Sequence, residues 1–118
     1  MPNSRVSRSN VSRVKKEKKP TAIQIGDQNE ARTQAYYEGL GYVVDTTRRA
    51  KFKQNDYFGL FDHICISATS VRLVQTKTNQ LPSRIQRQKI KDFVVPPEVF
   101  KEIVLWKDGQ DNPIIYKY

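Results

Sequence analysis

From Leu60 to Lys77 the apolar positions follow the two-residue period of extended chain. Leu60, Ile64 and Ile66 fall on one side of a first segment. Val71 and Leu73 fall on one side of a second, with Gln75 and Lys77 continuing that side. Three small residues, Ala68 to Ser70, separate the two runs, which predicts a β-hairpin. With the turn centred between Ala68 and Thr69, Asp62 lies opposite Gln75. The shared face is then apolar near the turn and polar at its open end, where Asp62, Gln75 and Lys77 converge.

The pattern on either side predicts the remaining elements. Asp27-Gln28-Asn29-Glu30 opens a helix, with Asp27 as its cap and Glu30 closing a capping box. Ala31, Ala35, Tyr36 and Leu40 form its inner face, and Gly39 or Gly41 ends it. Residues 42–47 read as a strand and 48–55 as a polar basic loop. Gly59 permits a bulge or a close backbone approach ahead of the hairpin. Asp56 reads first as a turn or helix cap, and otherwise as a second acid near the hairpin's open end. Ser83 starts a second helix that runs to Phe93, with Ile85, Ile90 and Phe93 inward and Arg84, Arg87 and Lys91 outward. Pro96-Pro97 breaks it. Residues 101–107 and 113–118 are strands joined by a turn at Asp108-Gly109. The expected fold class is α/β, a central mixed sheet of about five strands flanked by two helices.

At 118 residues the chain forms one domain at most. The formal net charge of +9 points to a polyanionic partner. That charge is uneven, because seven of the 21 Lys and Arg residues lie in the first 20 positions, leaving +3 for residues 21–118. Residues 1–20 are therefore read as a basic, disordered tail and 21–118 as the folded domain. The tail reads as an electrostatic arm along a phosphate backbone or as a solubilising extension, and less well as a mitochondrial presequence, since it lacks a clear amphipathic apolar face. No apolar run has the length of a membrane span and none near the start resembles a secretory signal. The single cysteine, Cys65, favours a reducing compartment, and the expected location is cytoplasmic and nucleic-acid associated. Cys65 reads as a core residue, and His63, pointing away from the Asp62 face, as a structural histidine. One histidine and one cysteine make a zinc site unlike this chain.

A carboxylate grouped with neutral oxygens suits a hard cation, Mg2+ or Mn2+, and a lysine beside it suits the orienting of water. Asp62 on one strand and Gln75-Thr76-Lys77 on the next resemble the PD-(D/E)xK nuclease superfamily, with Gln in place of the usual acid. The order of elements over about residues 27 to 93 is similar to that of small archaeal Holliday-junction resolvases and related phage nucleases. The resemblance implies a restriction-endonuclease-like core and hydrolysis of phosphodiester bonds in DNA, including branched or junction DNA. It implies that Asp62, Gln75 and the Thr76 carbonyl hold the metal, that Lys77 positions the attacking water, and that Glu30 on the first helix joins the site. It also implies a homodimer. The neutral Gln75 weakens cation affinity, so help from Glu30 or Asp56 is expected. Arg48, Arg49, Lys51 and Lys53 in the basic loop, with Arg84, Arg87 and Lys91 on the second helix, are the candidate phosphate contacts. The same tail and basic helix would also serve a nucleic-acid-binding protein that cuts nothing, its Gln75 marking a lost site. A third reading, a structural protein of a ribonucleoprotein, rests on charge alone.

Overall fold

The computed structural model describes residues 19–47 and 56–118. The basic tail up to residue 18 and the loop cations Arg48, Arg49, Lys51 and Lys53 lie outside the described residues. The elements run α1 (Ala22–Gly39), β1 (Val43–Thr46), β2 (His63–Ile66), β3 (Val71–Thr78), α2 (Arg84–Asp92), β4 (Val99–Trp106) and β5 (Ile114–Lys117). The five strands form one mixed sheet in the order β1-β2-β3-β4-β5. All neighbours are antiparallel except β3 and β4, which run parallel because α2 carries the chain back between them.

The hairpin has the predicted register. His63 pairs with Val74, Ile64 with Leu73, Cys65 with Arg72 and Ile66 with Val71. The Ser67 hydroxyl accepts from the Thr69 and Ser70 amides, which closes the turn. Alternation along β2, β3 and β4 then splits the core in two. Cys65, Val74, Val104 and Trp106 pack with Tyr37 of α1 on one face. Leu73 and Ile103 pack with Leu60, Phe61 and Ile90 of α2 on the other. The sheet thus lies between the two helices.

The first helix departs from the expectation at its start. Its cap is Thr21 rather than Asp27. The Thr21 hydroxyl accepts from the Gln24 amide at 3.1 Å, while the Gln24 side chain accepts from the Thr21 amide at 2.8 Å. A Thr-x-x-Gln box satisfies the same orphan amides as Asp-x-x-Glu, and it follows Pro20, which fixes the chain direction. Asp27 and Glu30 are therefore interior helical residues, and neither forms the cap. The inner face is also different: Asn29, Thr33 and Tyr37 are buried, while Ala31, Ala35 and Leu40 are exposed. A helix that buries hydrogen-bonded polar side chains leaves little apolar stripe to read.

The second helix has its predicted limits, with the Ser83 hydroxyl accepting from the Gln86 amide at 3.1 Å. Ile90 is fully buried, but Ile85 is 72% exposed and not inward. The far end of α2 is held by a residue of the sheet. Lys101 on β4 is buried and donates to the carbonyls of Ile90, Lys91 and Phe93 at 2.7–2.8 Å. Carbonyls at a helix end have no amide one turn ahead, so an ammonium placed there answers both their lone pairs and the negative helix end. At the near end, Asn79 takes a left-handed φ of 64° and exchanges bonds with Asp108, which ties the β3–α2 connection to the β4–β5 turn.

Candidate active site

Asp62 sits at the last position before β2. The regular ladder is broken there: its amide donates to the Val74 carbonyl at 2.8 Å, although Val74 is the partner of His63. This bulge, and not one at Gly59, marks the start of the strand. Gly59 serves a tight turn instead. Phe58 at φ 56° and Gly59 at φ 69° reverse the chain, and the Leu60 and Phe61 amides both donate to the Tyr57 carbonyl. The turn brings Asp56 back beside Asp62.

A cleft of about 530 Å³ opens at this end of the sheet. Asp62, Gln75, Lys77 and the Thr76 backbone border it, with Glu30 and Gly26 from α1, Asp56 from the turn, and Pro82, Ser83 and Gln86 from the start of α2. The cleft brings together all five residues from which the resemblance builds a site: Asp62, Gln75, Lys77, Glu30 and Thr76. Thr76 also supports Asp62. Its amide donates to Asp62 Oδ2 at 2.9 Å, and its side chain turns to the α1 face. Of the predicted phosphate contacts among the described residues, Arg84 and Lys91 are exposed and Arg87 is half-buried, with a buried Nε that has no hydrogen-bond partner.

Asp62 is 5% exposed. Burial pushes its carboxyl up to about 7; the Thr76 amide opposes this, and the charges of Glu30 and Asp56 together with a hydrogen bond to Asp56 add to it. Gln75 Oε1 and Asp56 Oδ1 are buried acceptors with no donor. Unpartnered oxygens beside a buried carboxyl are the donor set that a hard cation satisfies, so the residues present fit Mg2+ or Mn2+. Among the described residues, no three Asp, Glu, His or Cys side chains stand close enough to hold a metal by themselves. Any cation here needs the Gln75 amide, a backbone carbonyl or water among its ligands.

Behind the site, on the α1 face, lies a hydrogen-bonded network that sequence reasoning missed. His63 is fully buried, with Nδ1 2.8 Å from Thr46 Oγ1 and Nε2 2.7 Å from Thr76 Oγ1. Thr76 Oγ1 donates to Thr33 Oγ1, which also accepts from Trp106 Nε1, both at 2.8 Å. Asn29 Nδ2 donates to Thr78 Oγ1 at 2.8 Å. Burial lowers the His63 imidazole to about 4, so it is neutral at pH 7. It holds the middle of Gln75-Thr76-Lys77 from behind and takes no place in the cleft. The sequence signal was the Thr33–Asn29 spacing of one helical turn, unreadable without knowing which helix face meets the sheet.

Cys65 is a free core cysteine, as its strand position predicts, and burial pushes its thiol up to about 12. Tyr116 and Tyr118 are half-buried against the α2-side core. Among the described residues, no helix is long and apolar enough to cross a membrane. No family model, no curated protein and no solved structure matches this chain.

Proposed function

We propose that this protein is a Mg2+- or Mn2+-dependent endonuclease of the PD-(D/E)xK type, with a restriction-endonuclease-like core, that hydrolyses DNA. The observation that carries the reading is the common cleft of Asp62, Gln75 and Lys77, in which the Gln75 amide oxygen is buried and lacks a donor. A bound divalent ion would polarise the phosphate and acidify water. Asp62 and Gln75 hold that ion in the reading, with the Thr76 carbonyl and Glu30 bordering it. Lys77 orients the attacking water and steadies negative charge on the phosphate oxygens. Water oxygen bonds to phosphorus and releases one proton as one P–O ester bond breaks, and the leaving oxygen takes up a proton, so that none is gained or lost overall.

Substrate contact extends from the same cleft. Ser83 and Gln86 at the start of α2 present the positive end of that helix, which favours an adjacent phosphate. Arg84, Arg87 and Lys91 extend positive charge along α2. The dimer and the junction substrate implied by the resemblance remain part of the proposal.

The test is nicking of plasmid and branched DNA with Mg2+ or Mn2+, comparing the wild type with Asp62→Ala and Lys77→Ala. The expected loss in each variant is at least about 100-fold. Cutting that persists in both variants rejects the assigned site. A second reading, a nucleic-acid-binding protein that does not cut, is favoured by the neutral Gln75 and by the burial that pushes the Asp62 carboxyl up and opposes its ionisation. Binding of DNA with no cutting under either cation supports that reading.

A further inference from the structure

We propose that Asp56 is a direct ligand of the cation and supplies the negative charge that Gln75 lacks. This rests on the metal-dependent reading above. Asp56 Oδ1 and Gln75 Oε1 are both buried, both without a hydrogen-bond partner, and both at the cleft that Asp62 borders. Each orphaned acceptor is unfavourable by itself, and a donor from the protein would have been the ordinary remedy. A hard cation in the cleft that reached both oxygens would satisfy both.

The turn that carries Asp56 does not need its side chain. Main-chain bonds close residues 56–61: Gly59 donates to the Asp56 carbonyl, and Leu60 and Phe61 donate to that of Tyr57. Capping, the alternative use of this carboxylate, is therefore met by backbone alone. The same turn holds Phe58 in the left-handed region, a conformation that needs surrounding structure to maintain it. Its result is an acid from outside the hairpin brought beside Asp62, in the cleft that Gln75 also lines.

Charge makes the same assignment. Gln75 is neutral, so Asp56 adds a carboxylate to those of Asp62 and Glu30 around a divalent ion. In the arrangement the resemblance implies, the second acid lies on β3; here it comes from the turn before β2.

The test is titration of the full chain with Mn2+ alone, reading free ion by its electron paramagnetic resonance signal, without DNA. Asp56→Asn is expected to weaken binding by at least about tenfold, since even residues behind metal ligands have effects of that size. Asp56→Ser is expected to do the same, should the Asn variant not fold. Adding Gln75→Glu to Asp56→Asn is expected to regain most of the affinity, by returning the second charge to β3. If Asp56→Asn binds Mn2+ as tightly as the wild type while Asp62→Asn does not, the assignment of Asp56 is overturned and the metal-dependent reading stands. If the wild type binds no Mn2+, both fall together.

Discussion

The two faces of the sheet treat buried polar groups in opposite ways at neighbouring residues of β3. On the α1 face, Thr76 is joined to His63, Thr33 and, through Thr33, Trp106. On the α2 face, Gln75 one residue earlier leaves its amide oxygen without a partner, and Asp56 and Arg87 also leave buried atoms unpartnered. A satisfied network locks one arrangement; an unsatisfied one leaves a free-energy deficit that a ligand can remove. The difference separates polar residues kept for structure from those available for chemistry. It does so without any appeal to family.

The sharpest way to break this comparison is to remove the charge conflict at Asp62. Its raised carboxyl makes the folded state hold a proton that the unfolded chain releases near pH 4. Stability from this group therefore falls as pH rises from about 4 to 7 and stays low above 7. Asp62→Asn is expected to stabilise the metal-free protein at pH 8 by about 2–4 kcal/mol, read from chemical denaturation, while abolishing Mn2+ binding. Unchanged stability would mean that the carboxyl carries no such conflict. His63 has the reverse sign, because its lowered imidazole makes stability rise with pH between about 4 and 6.5. The two slopes oppose each other below pH 6.5, so the Asp62 contribution is cleanest just above it.

The next largest effect contrasts the faces directly. Thr33→Val keeps the shape but strands Trp106 Nε1 and leaves the Thr76 hydroxyl, still joined to His63, without its acceptor, and is expected to cost about 1–3 kcal/mol. Gln75→Leu on the opposite face removes an oxygen that had no partner and is expected to be neutral or stabilising in the absence of metal. Equal losses from the two substitutions, measured by urea denaturation, would erase the distinction. The smallest expected effect lies on the exposed side of α2. Arg84→Ala and Lys91→Ala should each lower the slope of log DNA affinity against log salt by about 1, as the loss of one phosphate contact requires. An unchanged slope in both would remove α2 from the DNA-binding surface.

Much of the hairpin is legible in the sequence. Its register follows from alternation and from a turn of fixed length, and those are local properties. A shift of one residue would have turned Ile64 and Leu73 away from the core. The ends of α2 are legible for the same reason, with Ser83 as its cap. The start of α1 is not. Thr21-x-x-Gln24 and Asp27-x-x-Glu30 are both valid boxes, and local chemistry does not choose between them. Its inner face is hidden because Asn29 and Thr33 are buried by hydrogen bonding, and no hydrophobic period reports that.

The chain by itself determined that Gln75 and Lys77 share one side of β3, since extended backbone leaves no other arrangement, and it pointed to Asp62 near them. Only the tertiary structure decided that Asp56 folds back to meet them, that Glu30 and the start of α2 close the cleft, and that His63 holds Thr76 from behind. Those placements depend on how helices pack on the sheet and on a reversed turn at Phe58 and Gly59. Contacts between distant segments are set by which surfaces fit together, and that information is not carried by the spacing of residues along the chain.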